Sequence, residues 1–269
     1  MTYNSRSIPS LILALAAVAA IGRSQPPSNR LLNITVLYDN TAHRQECSAD
    51  WGFACLVEGT DKVILFDAGT KGDILLKNVE TLKTDLSKVG AVVISHAHLD
   101  HTGGLSAVLP KMPGVTVHLP SSSPPALVEA VRQAGGVVSI SKDPAPVCGN
   151  VWLTGELGDQ IVEQSLVIRT PGGMVVLTGC SHPGIVKILE RAKEVGKDRL
   201  YAVMGGFHLL QHGDAAVQEI VARVRELGIA KVGASHCTGE KAIGAFRKTY
   251  GPNFIELGAG QVVRLNSTQ

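Results

Sequence analysis

The sequence is poor in aromatic residues and in net charge, and both shortages narrow the range of functions. Aromatic residues make up 4% of the 269 residues, and 25 Lys and Arg residues nearly balance 23 Asp and Glu residues. A nucleic-acid-binding protein is expected to carry a basic patch, with aromatic side chains for stacking. We therefore expect no nucleic-acid partner and expect a small-molecule substrate instead.

The sequence also lacks an apolar run of the length that a transmembrane helix needs. Its N-terminal run, residues 11–21, follows Arg6 and ends near small and polar residues up to Gln25, whereas a spanning helix takes about 20 apolar residues. Such a run is typical of a secretory signal peptide. We expect residues 1–24 to be a signal peptide of a secreted or periplasmic protein without stable membrane association. A membrane anchor and a buried N-terminal helix are the alternatives.

Cysteine is scarce and odd in number, which excludes a closed disulfide framework. Of the five cysteines, Cys47 and Cys55 can pair in an exported protein or remain buried thiols. Cys180 and Cys237 lie inside histidine-containing motifs, which makes them more interesting as site thiols. Hydrophobic residues make up 45% of the chain, enough for a packed core.

Apolar periodicity and turn residues predict a mixed α/β fold. The predicted strands cover residues 33–38, 53–58, 62–66, 91–95, 115–119, 151–154, 165–169, 173–178, 201–204, 231–234 and 261–265. The predicted helices run from 73 to beyond 78 and cover 124–133, 183–195, 214–227 and 240–248. Two strand-rich halves, each followed by helices, predict a four-layer αββα sandwich in one domain over residues 33–266.

The densest group of potential metal ligands follows the predicted strand that ends near residue 95. Within six residues the chain carries His96, His98, Asp100 and His101, followed by Thr102-Gly103-Gly104. Imidazole and carboxylate bind zinc and related divalent ions, and this spacing lets a chain leaving a strand aim alternate side chains at one point. The stretch predicts a metal site.

Four further motifs each follow a predicted strand. They are Phe-Asp-Ala-Gly at 66–69, Leu-Thr-Gly-Cys-Ser-His-Pro-Gly at 177–184, Gly-Gly-Phe-His-Leu at 205–209 and Ser-His-Cys-Thr-Gly at 235–239. Because strand ends of a sandwich converge on one edge, we expect these motifs to lie near the histidine-rich stretch. Ser181 lacks the Gly-x-Ser-x-Gly context of a serine nucleophile. His43, His118 and His212 belong to no motif and are interpreted as surface or packing residues.

With these motifs, the chain over about residues 33–265 resembles the metallo-β-lactamase superfamily. It looks most like the metal-dependent hydrolases labelled dihydropterin ribofuranosyl-aminobenzene phosphate synthases. The resemblance implies one or two divalent ions, with zinc expected and manganese or iron as alternatives. It implies ligands to a first metal at His96 and His98, and to a second metal at Asp100, His101 and His236.

The resemblance is incomplete where many members of the superfamily carry a third histidine and then a bridging acid. No histidine lies between His118 and His182, and the strand reads Leu-Thr-Gly-Cys instead of Leu-Thr-Gly-Asp. We interpret His182 as the missing imidazole of the first metal. Cys180 then takes the bridging position as a thiolate ligand, or is a small buried thiol behind the loop.

The resemblance implies hydrolysis by a water that the metal activates. Asp100 is expected to bind metal and to accept the proton of that water. His208 is a ligand, a proton donor, a substrate anchor or a structural residue, and Asp67 either supports a ligand histidine or forms an Asx-turn. The expected function is hydrolysis of a small ester, lactone or phosphoester. The alternatives are a pterin-related synthase and a non-hydrolytic metal-binding or redox protein of the same fold.

Overall fold

The structure is a computed structural model that describes residues 31–265. The predicted signal peptide at 1–24 lies outside this range, so its assignment stays a prediction. Within the described range no helix combines the length and the apolar character that crossing a membrane requires.

The described residues form two mixed sheets. The strands are β1 (Leu32–Tyr38), β2 (Ala54–Glu58), β3 (Val63–Phe66), β4 (Val89–Val93), β5 (Thr116–Pro120), β6 (Val137–Ser141), β7 (Ala145–Cys148), β8 (Val151–Leu153), β9 (Leu166–Thr170), β10 (Gly173–Thr178), β11 (Leu200–Gly206), β12 (Lys231–Ser235) and β13 (Val262–Leu265). The first sheet has the order β13-β1-β2-β3-β4-β5-β6, and the second has the order β12-β11-β10-β9-β8-β7. The first half of the chain therefore builds one sheet and the second half builds the other, except that β13 returns to pair with β1.

Helices cover the outer faces of both sheets. They are α1 (Gly72–Thr81), α2 (Leu99–Thr102), α3 (Leu105–Val108), α4 (Pro125–Gln133), α5 (Ile185–Gly196), α6 (Asp214–Glu226) and α7 (Glu240–Tyr250). One buried apolar cluster lies between the sheets and joins residues such as Phe66 and Leu177. A second packs α1, α3 and α4 on the first sheet, and a third packs α5, α6 and α7 on the second. Three apolar layers separate four structural layers, which confirms the predicted αββα sandwich.

The main differences from the predicted elements are at the sheet edges and in the histidine-rich stretch. Strands β6 and β7 were not predicted, and β6 leaves Val137 and Ile140 about half exposed. An edge strand of this kind shows no regular alternation of buried and exposed residues, so periodicity does not reveal it. The short helices α2 and α3 were also not predicted, because each has only four residues.

One edge of the sandwich gathers the ends of the strands that precede the motifs. Strand β3 is parallel to β4 in the first sheet, and β10, β11 and β12 are parallel in the second. Glycine permits the tight packing here: a Cβ on Gly103 would lie 2.0 Å from the carbonyl oxygen of Thr70, and a Cβ on Gly104 would lie 2.2 Å from that of Ala68. The Thr-Gly-Gly sequence therefore brings the histidine-rich stretch against the loop after β3.

Candidate metal centre

The first cluster of potential ligands consists of His96, His98 and His182. One ligand nitrogen from each ring lies within 4.8 Å of the other two. The ring of His182, from the loop after β10, lies 4.7 Å from that of His96 and 4.9 Å from that of His98, centroid to centroid. Nε2 of His96 lies 3.1 Å from Nδ1 of His98. The structure thus brings together the three imidazoles that the sequence assigned to one metal.

The second cluster consists of Asp100, His101, Cys180 and His236, again with ligand atoms within 4.8 Å of one another. Cys180 Sγ lies 3.1 Å from Nε2 of His101 and 3.4 Å from Nε2 of His236. Oδ2 of Asp100 lies 3.3 Å from Nε2 of His236 and 3.6 Å from Nε2 of His101. Cys180 therefore lies among the residues predicted for the second metal.

Four of the five imidazoles in these clusters are oriented by an oxygen atom at Nδ1. The pairs are His96 with Oγ of Ser95 at 2.9 Å, His101 with Oδ2 of Asp67 at 2.7 Å, His182 with Oε2 of Glu163 at 3.0 Å, and His236 with Oδ1 of Asn40 at 2.9 Å. A histidine that binds a metal through one ring nitrogen usually has such a hydrogen-bond partner at the other ring nitrogen. Here the partner lies at Nδ1, which leaves Nε2 free for a metal. Asp67 therefore contacts His101, a histidine of the predicted metal site, as the sequence analysis expects of a residue that supports a ligand.

Glu163 is a site residue that the sequence analysis missed. It lies between β8 and β9 and is 1% exposed. Its Oε1 accepts hydrogen bonds from the backbone N–H groups of Gly179, Cys180 and Ser181, and its Oε2 accepts one from that of His182. The carboxylate therefore fixes the backbone of the loop after β10 as well as the His182 ring. Asn40 was missed in the same way, since neither residue belongs to a histidine motif.

The pKa values of the cluster histidines differ. Burial and, second, the charge of a neighbouring histidine lower the pKa of His96 to about 3 and that of His101 to about 4. At His236 burial alone would lower the pKa, but the hydrogen bond with Asp100 raises it above its usual value. Burial alone would raise the pKa of Asp100, but its hydrogen bond with His236 and the charge of His101 hold it well below its usual range. Neutral imidazole and ionised carboxylate are the forms that bind metal ions.

The third group of potential ligands is Cys180, His208 and Cys237. The His208 ring is exposed and lies 4.4 Å from that of His182, centroid to centroid. A hydrogen bond with Cys237 raises the pKa of His208. All five cysteines are free thiols, so the Cys47–Cys55 pairing considered from the sequence is not formed.

The donor atoms of the two main clusters fit divalent ions. Three imidazoles in one cluster, and an imidazole pair with a carboxylate and a thiol in the other, are nitrogen, oxygen and sulfur donors of the kind that zinc takes. The oriented Nδ1 atoms are further evidence for this fit, because they leave Nε2 of four rings facing the clusters. The arrangement is suited to hold metal ions beside an exposed edge of the sandwich.

Three comparisons with known proteins agree with this geometry. The chain is 26% identical over 282 aligned positions to 7,8-dihydropterin-6-methyl-4-(β-D-ribofuranosyl)-aminobenzene-5'-phosphate synthase from Methanocaldococcus jannaschii, covering 86% of this chain and 95% of that protein. The crystal structure of Tm1679, described as a metal-dependent hydrolase of the β-lactamase superfamily, superimposes with a TM-score of 0.75 at 29% identity, covering 87% of this chain and 99% of that one. Human tRNase Z, short form, shares the fold, with a TM-score of 0.57 at 13% identity, over 86% of this chain and 98% of that one.

The family model of the metallo-β-lactamase superfamily matches residues 52–236. This match covers more than half of the chain and includes every predicted ligand, so the chain belongs to the metallo-β-lactamase superfamily.

Proposed function

We propose that this protein is a metal-dependent hydrolase of a small-molecule ester, lactone or phosphoester. The observation that carries the proposal is the pair of ligand clusters with imidazoles held at Nδ1 by oxygen atoms. In this proposal one ion is held by His96, His98 and His182. The other is held by Asp100, His101, Cys180 and His236, and zinc is the expected metal.

When bound, such ions supply a Lewis acid and a water whose pKa is lowered toward ~7. Asp100 is the proposed proton acceptor, the role that the family resemblance implies, and its Oδ2 is fixed by a 2.9 Å hydrogen bond from Nε1 of Trp51. His208 is the proposed proton donor to the leaving group. Its exposed ring beside His182 borders the first cluster, and Cys237 favours its protonated form.

The alternatives to hydrolysis are a pterin-related synthase and a redox protein of the same fold. The name of the Methanocaldococcus jannaschii relative favours the synthase, while the description of Tm1679 favours hydrolysis. A diiron redox protein of the same fold would be coloured, whereas a zinc hydrolase would not. We propose a small-molecule substrate in all cases, no nucleic-acid partner, and an exported protein without stable membrane association.

The test is elemental analysis of the purified protein together with a panel of phosphoester, lactone and thioester substrates. The proposal predicts tightly bound zinc, hydrolysis of at least one substrate class, loss of activity on chelation and recovery with added zinc. His101→Ala should lose metal and activity, and His212→Ala, at an exposed histidine outside the clusters, should lose neither. A coloured iron protein would favour the redox alternative. A zinc protein that cleaves nothing in the panel would favour the synthase.

A further inference from the structure

Cys180 and Cys237 are two buried thiols that meet at the edge of the second sheet. Each residue is 3% exposed, and the two sulfur atoms and a ring nitrogen of His208 all lie within 4.8 Å of one another. The two thiols are hydrogen-bonded to each other, and Sγ of Cys237 also donates to the backbone oxygen of Cys180 at 3.5 Å. The proposed function uses Cys180 as a metal ligand and gives Cys237 no such role.

Strand pairing alone would keep these two cysteines apart. Cys180 follows β10 and Cys237 follows β12, and β11 lies between these strands. Strands two positions apart in a sheet are separated by about 10 Å, whereas the Cα atoms of a disulfide lie within about 7 Å of each other. The loops converge over Gly206 at the end of β11, where a Cβ would lie 2.7 Å from Sγ of Cys237 and 2.5 Å from the backbone oxygen of Gly179. The absence of a side chain at residue 206 therefore lets the thiols approach each other.

Cys180 is also within reach of the second cluster. Its Sγ lies 3.1 Å from Nε2 of His101 and 3.4 Å from Nε2 of His236. The thiolate is the form of cysteine that binds a metal, and a sulfur atom bonded to a second sulfur is no longer a thiolate. A bond from Cys180 to a metal ion and a bond from Cys180 to Cys237 therefore exclude each other.

The pair lies just below the surface of the protein. The His208 residue is exposed, and its ring nitrogen lies within 4.8 Å of both sulfur atoms. Hydrogen peroxide is little larger than water, so it reaches thiols in such a position more readily than a bulky disulfide reagent does. To bond, the sulfur atoms must approach to about 2.05 Å, and rotation of either side chain to another rotamer moves its sulfur atom without moving the backbone.

From these contacts we propose that Cys180 and Cys237 are a site of reversible oxidation, at which a disulfide forms when Cys180 holds no metal ion and removes a ligand from the second cluster. The oxidant is a small peroxide. Hydrogen peroxide converts one thiol to a sulfenic acid and leaves as water, and the other thiol then displaces a second water as the S–S bond forms. The thiols together lose two protons and two electrons, which reduce the peroxide to two water molecules. The effect on metal binding rests on the ligands of the proposed function, whereas the oxidation itself rests on the two thiols alone.

The experiment is peroxide treatment of the full-length protein with and without zinc, followed by intact-mass measurement, peptide mapping and zinc analysis. Chelator-treated wild type should lose about 2 Da, the mass of two hydrogen atoms, and mapping should link the peptides that contain Cys180 and Cys237. The oxidised protein should fail to bind the zinc ion of the second cluster, and dithiothreitol should restore both the thiols and the binding. With free zinc at ~10 times its Kd, the reaction should slow roughly 10-fold, because only the zinc-free fraction reacts.

Two variants make the assignment specific. Cys237→Ser should show no loss of about 2 Da, and Cys148→Ser, at a partly buried thiol on β7, is the matched control and should react as the wild type does. If Cys237→Ser fails to fold, the cross-link found by peptide mapping of the wild type decides the assignment.

Several results would overturn the proposal. They are addition of oxygen without a cross-link, a cross-link to another cysteine, an equal rate with and without zinc, and a Cys180–Cys237 disulfide that leaves zinc binding unchanged. Reversible oxidation with loss of zinc, in a protein that hydrolyses no substrate, would instead count against the hydrolase function and leave the oxidation site standing.

Discussion

Glu163→Gln is the substitution for which the structure predicts the clearest loss of stability. The carboxylate accepts three backbone N–H groups at Oε1, and the N–H and Nδ1 of His182 at Oε2. Glutamine has the same shape but only one acceptor oxygen, so at least two buried donors lose their acceptor. At about 1–3 kcal/mol for each of these two donors, the free energy of unfolding should fall by about 2–6 kcal/mol.

The pKa of Glu163 gives an independent value for this change in unfolding free energy and the direction of its pH dependence. Burial alone would raise this pKa, but the hydrogen bond from His182 and the charge of His96 lower it from 4.5 to about 2. A carboxyl group with a depressed pKa in the folded state stabilises the protein above its unfolded pKa, by about 3 kcal/mol for this shift, and the stabilisation is lost as the pH falls toward 2. The difference between wild type and Glu163→Gln should therefore be full at neutral pH and shrink below pH 4.5.

The assay is urea unfolding of chelator-treated wild type and variant, followed by circular dichroism at neutral and acidic pH. Glu129→Gln, at an exposed glutamate on α4, is the control and should change the unfolding free energy by less than about 0.5 kcal/mol. In the metal-loaded protein, Glu163→Gln should also lower metal affinity roughly 10- to 100-fold, because His182 loses its orientation. A change below about 1 kcal/mol at neutral pH, or one that is equally large in acid, would refute this reasoning.

Three further predictions concern other parts of the chain. His208→Ala should keep wild-type metal content and lower kcat/KM by roughly 10²–10⁴, whereas His101→Ala should lose metal. Metal loss in His208→Ala would instead identify His208 as a ligand, and full activity with full metal content would identify it as a structural residue. In chelator-treated protein, Asp39→Asn should raise the unfolding free energy by about 3 kcal/mol above pH 6, because burial raises the pKa of Asp39 from 3.8 to about 6. This gain should vanish below pH 3.8, and a gain that does not depend on pH would contradict the assignment. Intact-mass measurement of protein recovered from its native compartment should show residues up to about Ser24 removed, and a membrane-bound chain that retains them would favour an anchor.

The sequence predicts the core of the fold well, because apolar strands such as β4 and β10 are buried on both faces. Their runs are continuous and end at motifs that carry polar ligands. The edge strands β6 and β7 escape prediction because their side chains are partly exposed and follow no regular alternation. The candidate ligands from His96 to His101 could be predicted because they form one local stretch, and local spacing is visible in the sequence.

Residues that support the ligands are harder to predict, because their contacts join distant parts of the chain. Asn40 contacts His236 across 196 positions, and Glu163 contacts the loop after β10 across 16 to 19 positions. Asp67 could be predicted because it follows β3 as the ligands follow their own strands. Glu163 follows no strand end and belongs to no motif, so only the folded chain reveals its five hydrogen bonds.

The central claim is that the two clusters hold metal ions, and anomalous X-ray diffraction at the zinc absorption edge tests it most directly. Crystals of protein purified with zinc should show a peak bonded to Nε2 of His96, Nδ1 of His98 and Nε2 of His182, at about 2.0–2.1 Å from each nitrogen. A second ion should lie among Asp100, His101, Cys180 and His236. An anomalous map without a peak at either cluster, or with His182 more than about 6 Å from the ion at His96 and His98, a distance that no zinc–imidazole bond spans, would contradict the account.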